Sequence, residues 1–227
     1  MNETQRAARI WASPTRAYSL SEVIADGVIH VIGLVTAIAL GSIILAFAFM
    51  QTAPTEAPAL AVYLCTLLAL LSVSLAYNLS PVSPLKSWLA RFDQAAIFLF
   101  IAGTYTPFLA AMGGSATAIL LGAFVWGASI VGVALKLIVP QRFGRLAILL
   151  YLTIGWSGVV VFHALGTTLP PASLWLLLAG GLVYSAGIVF HLWERLKFQN
   201  VLWHVFVVAG ATLHLVAILD CMVISRL

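Results

Sequence analysis

Charged side chains are scarce in this chain. Only 8% of its 227 residues are Asp, Glu, Lys or Arg, whereas 63% are hydrophobic. A water-soluble globule of this length needs many more polar side chains to cover its surface. The composition therefore excludes a soluble protein and predicts an integral membrane protein.

Cysteine is scarce as well. Cys65 and Cys221 are the two cysteines, and both lie in apolar runs. This excludes a disulfide framework, so we expect both thiols to pack as small buried hydrophobes. The net charge is only +4, and most basic residues lie in loops, where membrane lipids are the expected partners. We assign no nucleic-acid partner, and the sequence identifies no protein partner.

The sequence does contain long hydrophobic runs. A spanning helix needs about 20 apolar residues, so the chain has room for about seven. We predict an all-α integral membrane protein, a seven-transmembrane helix bundle that forms a single domain over residues 1–227. Residues 1–27 form a cytoplasmic or interfacial N-terminal segment, where Ser19 and Glu22 have the capping-box spacing that starts a helix. The predicted spans 1 to 7 cover approximately residues 28–50, 58–78, 93–111, 116–138, 146–163, 173–191 and 201–222.

Basic residues are unevenly distributed between the two sides of this bundle. Of the eleven, all but Arg226 fall in the N-terminal segment or near the second, fourth and sixth loops. Because cytoplasmic loops hold the excess of Lys and Arg, we predict a cytoplasmic N-terminus and an external C-terminus, which requires an odd number of spans. The ten residues are Arg6, Arg9, Arg16, Lys86, Arg91, Lys136, Arg142, Arg145, Arg195 and Lys197.

Five polar residues converge at the cytoplasmic end in this topology. Ser74 and Asn78 close span 2, Asp93 opens span 3, and Asn200 and His204 open span 7. Residues four apart share one face of a helix, so each pair can point in one direction. Because ionisable groups inside a membrane cost several kcal/mol, they generally mark a site, a pathway or a buried pair. We predict one shared polar site.

Each of these residues also has an ordinary explanation when it is taken alone. Ser74 fits a hydroxyl that packs between helices, Asp93 fits the N-cap of span 3, and His204 fits an interfacial side chain. Their convergence favours the shared site. His30, near the start of span 1, lies at similar depth and is predicted to form an outer layer around it.

Several stretches resemble the hemolysin III family, bacterial relatives of the progestin and adipoQ receptors within a wider superfamily of membrane hydrolases. The resemblance covers most of the chain. The residues that carry it are Tyr18-Ser19-Leu20 with Glu22 and His30, Phe92-Asp93 through Ile101-Ala102-Gly103-Thr104-Tyr105-Thr106-Pro107-Phe108, and Trp203-His204 with His214.

The resemblance implies a cytoplasmic-side zinc ion held by three histidines beside a serine and an aspartate. By position, the serine is Ser74, the aspartate is Asp93 and one ligand is His204. The other two ligand positions hold Asn78 and Asn200. An amide oxygen is a weak, neutral donor, and zinc prefers Cys, His and carboxylate ligands. We therefore expect the family-type zinc site to be lost and the chain to need no cofactor, with bound zinc as the alternative.

The expected function is membrane or lipid homeostasis, carried out by a metal-free, multi-pass protein of the bacterial inner membrane. In this hypothesis Asn78 and Asn200 hydrogen-bond to each other, and Asp93 pairs with His204.

A zinc-dependent hydrolase that cleaves a lipid ester or amide is the main alternative. Ser74 and Asp93 are then the catalytic candidates, with Asp93 as acid or base and Ser74 stabilising an oxyanion. The family name suggests a further alternative, a cytolytic pore, and a proton- or ion-coupled transporter through Asp93 and His204 also stays open.

Overall fold

The computed structural model describes residues 18–51, 56–139 and 144–227. Within these ranges the chain is helical and contains no strand. Seven stretches of the described residues are long and apolar enough to cross a membrane, which confirms the predicted bundle. Spans 1 to 7 run over Leu20–Met50, Glu56–Leu79, Pro84–Ala111, Ala116–Ile138, Leu146–Thr168, Pro171–Leu192 and Gln199–Arg226.

The orientation of the bundle stays a prediction. Four of the basic residues on which it rests, Arg6, Arg9, Arg16 and Arg142, lie outside the described residues, as does most of the predicted N-terminal segment.

Span 1 starts with the predicted capping box. The backbone N–H of Ser19 donates to Oε2 of Glu22 at 3.0 Å, and the N–H of Glu22 donates to Oγ of Ser19 at 3.4 Å. The other carboxylate oxygen of Glu22 accepts from the backbone N–H of Phe198 at 2.8 Å. Glu22 therefore ties the start of span 1 to the residue before span 7, and it fixes the register of these two helices.

Span 3 starts earlier than the hydropathy pattern predicts. Its helix begins at Pro84, and the side chain of Ser83 caps it by accepting from the backbone N–H of Lys86 at 3.2 Å. Lys86 and Arg91 reduce the hydropathy of the first turns, which is why the apolar run starts only near residue 93. Asp93 consequently lies inside the helix, and the interpretation of Asp93 as an N-cap is wrong.

Span 5 is interrupted in the middle. The helices Gly144–Gly155 and Phe162–Thr168 flank a 3-10 segment, Ser157–Val161. The hydroxyl of Tyr105 in span 3 donates to the carbonyl of Gly155 at 2.7 Å and accepts from the N–H of Gly158 at 2.9 Å. These bonds satisfy backbone groups that the break frees, as irregular backbone at membrane depth requires.

Span 5 makes few contacts with the other helices. Spans 1 to 4 pack in sequence order, span 1 also packs on span 7, and spans 6 and 7 pack most closely. One hydrophobic core joins spans 1, 2, 3, 6 and 7, and a second joins spans 3, 4 and 5. Glycines allow the close approach of spans 6 and 7, because Gly180 faces His214 and Gly210 faces Tyr184. A cavity lies between the packed helices.

The two cysteines differ in burial. Cys221 is buried, whereas Cys65 in span 2 is exposed, so the expectation that both thiols are buried is wrong for Cys65.

Candidate functional site

A cavity of about 920 Å³ runs through the interior of the bundle. One end, which we call the polar end, holds all six residues that the sequence placed at or around a site. The opposite end is formed mostly by apolar side chains of spans 3, 5 and 6, and the imidazole of His214 in span 7 also lines it. The residues of the polar end are His30, Ser74, Asn78, Asp93, Asn200 and His204, and those of the apolar end include Phe108, Leu109, Phe162, Leu165 and Leu174.

His204 is hydrogen-bonded to an aspartate that the sequence did not single out. Its Nδ1 lies 2.5 Å from Oδ1 of Asp26 in span 1. Both side chains are buried, with 2% of Asp26 and 7% of His204 exposed. The predicted pairing of His204 with Asp93 is therefore wrong in its partner, since Asp26 holds the ring nitrogen directly. Asp93 is partly buried at the same end, where its carboxylate interacts electrostatically with His204 and accepts a hydrogen bond from the side chain of Ser74.

The aspartate determines which nitrogen of His204 carries the proton. A carboxylate can only accept hydrogen bonds, so Nδ1 of the neutral ring is the donor and Nε2 is left as an acceptor. Oγ of Ser74 lies 3.4 Å from that Nε2. The hydroxyl of Ser74, which is 4% exposed, therefore has two acceptors within reach, Nε2 of His204 and the carboxylate of Asp93.

Asn78 and Asn200 form the hydrogen bond that was predicted between spans 2 and 7. Nδ2 of Asn200 donates to Oδ1 of Asn78 at 2.9 Å. Nδ2 of Asn78 in turn donates to the backbone carbonyl of Ser74 at 2.9 Å and lies 3.4 Å from its hydroxyl oxygen. The two amides thus form a directed chain that ends at Ser74.

His30 lies in direct contact with His204. Its ring is 1% exposed, and the two imidazole centroids are 4.3 Å apart in an edge-on arrangement. Nδ1 of His30 lies 2.8 Å from the backbone carbonyl of Asp26, so it donates there and its Nε2 is left as an acceptor. His30 and Asp26 therefore both contact His204 directly.

The spacing of Asp26 and His30 is the signal that could have identified the aspartate. They are four residues apart, so they share one face of span 1. Because Asp26 falls in the segment predicted to be interfacial, its depth was underestimated.

The residues at the family's zinc-ligand positions do not fit zinc. Asn78 and Asn200 are neutral amides that are bonded to each other, and His204 is the single imidazole among the three. Within the described ranges, the one group of potential ligands close enough to share an ion is Asp26, His30 and His204, whose ligand atoms lie within 4.8 Å of one another. Oδ2 of Asp26 is buried there without a hydrogen-bond partner among the described residues. A metal ion held by this group would retain His204, one of the family positions, and would take its other two ligands, Asp26 and His30, from span 1.

Comparisons with known proteins identify the same family that the sequence resembles. A family model described as Haemolysin-III related matches residues 18–215. Hemolysin-3 of Bacillus cereus is 32% identical over 194 residues, which cover 86% of this chain and 89% of that protein. The Hemolysin-3 homolog of Bacillus subtilis (strain 168) is 30% identical over 195 residues, or 86% of this chain and 91% of that protein.

A human protein is also similar. The Monocyte to macrophage differentiation factor of Homo sapiens is 29% identical over 127 residues, which cover 56% of this chain and 52% of that protein. Together with seven helices able to cross a membrane among the described residues, the match over residues 18–215 decides the classification. The chain belongs to the haemolysin-III-related family of multi-pass integral membrane proteins.

Proposed function

We propose that this protein binds the acyl chain of a membrane lipid in its cavity and acts in membrane or lipid homeostasis, without zinc at the family positions. The observation that carries the proposal is the shape and chemistry of the cavity, which is apolar at one end and polar at the other. The bacterial inner (plasma) membrane is the proposed location, and the seven helices able to cross a membrane among the described residues support a location within a membrane.

The dimensions of the cavity support a ligand with a long apolar part. Its volume of about 920 Å³ lies within the range of small-molecule sites, roughly 300–1,000 Å³. The apolar end can hold a hydrocarbon chain by van der Waals packing, because a chain that comes from the bilayer is already shielded from water. Lys136, which is 3% exposed and donates to Gln94 at 2.8 Å, adds a cation near the polar end. A lipid headgroup with an anionic or carbonyl oxygen therefore fits this end.

Filling the cavity tests the proposal. Leu178 lines the cavity, whereas Leu182, one turn later in span 6, is 56% exposed on the outer surface. We expect purified wild-type protein to retain about one lipid per chain in native mass spectrometry. Leu178→Trp should lose this lipid because the indole occupies the space of the acyl chain.

Leu182→Trp is the matched control, because it makes the same substitution on the same helix outside the cavity. It should retain the lipid of the wild-type protein. Equal lipid occupancy in Leu178→Trp and Leu182→Trp would show that the bound lipid lies on the outer surface, and the proposal would fail.

A zinc-dependent lipid hydrolase is the second candidate function. The grouping of Asp26, His30 and His204 is the observation that favours it. Stoichiometric zinc in purified wild-type protein, together with lipid turnover that stops on chelation and in Asp93→Ala, would establish this function. An Asn78→His, Asn200→His double variant that alone binds zinc would instead show that the family-type site has kept its geometry and lost its ligands.

A cytolytic pore, which the names of the two Bacillus relatives suggest, is tested separately. It requires leakage from liposomes that contain the purified protein, with heat-inactivated protein as the control.

A further inference from the structure

We propose that Ser74, His204 and Asp26 form a metal-independent nucleophilic relay that cleaves long-chain acyl esters at the polar end of the cavity. The inference rests on the proposed function in one respect, namely that an acyl chain enters the cavity. The three residues come from spans 2, 7 and 1, so only the folded bundle brings them together.

The order of the three groups is the order that acyl transfer by a serine requires. Oδ1 of Asp26 lies 2.5 Å from Nδ1 of His204, and Nε2 of the same ring lies 3.4 Å from Oγ of Ser74. The carboxylate fixes the tautomer in which Nε2 accepts a proton, and it stabilises the imidazolium that then forms. A serine-to-histidine distance slightly beyond hydrogen-bond length is common in enzymes that hold no substrate.

Two members of the relay line the cavity, and the third lies behind them. Ser74 and His204 line the cavity, whereas Asp26 does not. Asp26 is 2% exposed, and its carboxylate is held against the ring of His204. Ser74 and His204 are therefore the catalytic residues of the proposal, and Asp26 is a positioning residue.

The Asn78 side chain supplies an oxyanion donor. Because Oδ1 of Asn78 accepts from Asn200, its NH₂ group faces Ser74 and lies 3.4 Å from the nucleophilic oxygen. A carbonyl carbon bonded to that oxygen would carry its own oxygen close to the same NH₂ group. Donors placed at this point stabilise the charge that develops in acyl transfer.

In this proposal the two asparagines have a role in catalysis that zinc ligands at the same positions would not have. In a zinc-dependent hydrolase, the metal activates water and polarises the carbonyl. Here the histidine next to Ser74 can activate the hydroxyl, and the amide of Asn78 can polarise the carbonyl.

The reaction balances with water as the only co-substrate. Oγ of Ser74 attacks the ester carbonyl carbon while its proton passes to Nε2 of His204. The carbon–oxygen bond to the alcohol then breaks, and the alcohol leaves with the proton from Nε2, so that the acyl group stays on Ser74. Water attacks this acyl group and gives a proton to Nε2, and Ser74 recovers that proton as the fatty acid leaves.

An alkyl fluorophosphonate tests the relay directly, because it forms a stable bond only to an activated serine and releases fluoride. Purified wild-type protein in detergent is treated with the probe, and the modified peptide is identified by mass spectrometry. We expect one adduct per chain, on Ser74, and no adduct in Ser74→Ala. His204→Gln should slow the labelling by roughly 10²–10⁴-fold, because the base is lost.

Two controls separate the relay from general effects. Ser129→Ala removes another buried hydroxyl, in span 4 and outside the cavity, and it should label as the wild-type protein does. Prior treatment with a chelator should leave labelling unchanged. An unlabelled wild-type protein, an adduct on another residue, or labelling that a chelator abolishes would overturn the proposal.

Asp26 is tested by a pair of variants that differ only in the carboxylate. Asp26→Asn places an amide against Nδ1 and favours the wrong tautomer, so labelling should fall by roughly 10²-fold or more. Asp26→Glu keeps a carboxylate and should recover part of the rate. Equal rates in the two variants would show that Asp26 only supports the packing, and would overturn its place in the relay.

Failure of the relay can be distinguished from failure of lipid binding. If lipid is retained by the wild-type protein and lost in Leu178→Trp while Ser74 does not react, the cavity binds lipid without this chemistry. If Ser74 reacts but lipid occupancy is equal in Leu178→Trp and Leu182→Trp, the nucleophile is real and its substrate lies elsewhere.

Discussion

Asn78 occupies the centre of the polar network, because it accepts from Asn200 and donates to Ser74. Side-chain hydrogen bonds between membrane helices contribute modestly to stability, since the unfolded chain in the membrane also finds partners. The network therefore serves mainly to orient the amide and not to hold spans 2 and 7 together.

A double-mutant cycle measures this contribution. We expect Asn78→Ala, Asn200→Ala and the double variant to give a coupling energy of about 0.6 kcal/mol and no more than about 1.7 kcal/mol, from unfolding titrations in mixed detergent micelles. Ser72→Ala, at an exposed position of span 2, is the control and should change the free energy of unfolding little. A coupling energy near zero would mean that the two amides do not interact.

The residues of the site were predictable to different extents. Ser74 and Asp93 were found because polar residues within apolar runs are visible in the sequence, and the Asn78–Asn200 bond followed from their positions on spans 2 and 7. Asp26 was not found because its partner, His204, lies 178 positions away, and only the packing of span 1 on span 7 brings the two together.

At the scale of single elements, the break in span 5 depends on one side chain from another helix. The hydropathy of residues 146–163 is continuous and therefore does not predict the 3-10 segment at Ser157–Val161. The start of span 3 was predicted too late, because Lys86 and Arg91 belong to the helix but are not apolar. Hydropathy reports burial in lipid, whereas caps and hydrogen bonds determine where a helix begins and ends.

Removal of the Tyr105 hydroxyl tests this account of span 5. In Tyr105→Phe, the carbonyl of Gly155 and the N–H of Gly158 lose their partner, and we expect a cost of about 1–3 kcal/mol in the free energy of unfolding. Hydrogen exchange of the amides from 155 to 161 should become faster.

Tyr184→Phe is the matched control for this change, because the hydroxyl of Tyr184 is buried without a hydrogen-bond partner among the described residues. It should affect stability little. Equal effects of the two substitutions would show that the break is held by packing and not by the Tyr105 bonds.

At the scale of the whole molecule, the number of spans followed from composition and hydropathy, but the cavity did not. A cavity depends on which helices stay apart, and here span 5 packs weakly on its neighbours while spans 6 and 7 pack closely. A single sequence contains little information about which pairs of helices pack closely.

The orientation of the molecule is a separate prediction at this scale. We expect alkaline phosphatase fused to the C-terminus to be active, because that enzyme folds outside the cytoplasm, and a fluorescent reporter at the N-terminus to be bright. An inactive C-terminal phosphatase on an expressed fusion would contradict the external C-terminus.

The central claim, that an acyl chain lies inside the bundle with its headgroup at the polar end, is tested most directly by photocrosslinking. A phospholipid with a photoreactive group near the end of its acyl chain is incorporated with the protein into liposomes, and the crosslinked residues are mapped by mass spectrometry. We expect crosslinks to the apolar end, at residues such as Phe108 and Leu174, that disappear in Leu178→Trp. Crosslinks confined to outward-facing residues such as Leu182, and unchanged in that variant, would contradict it.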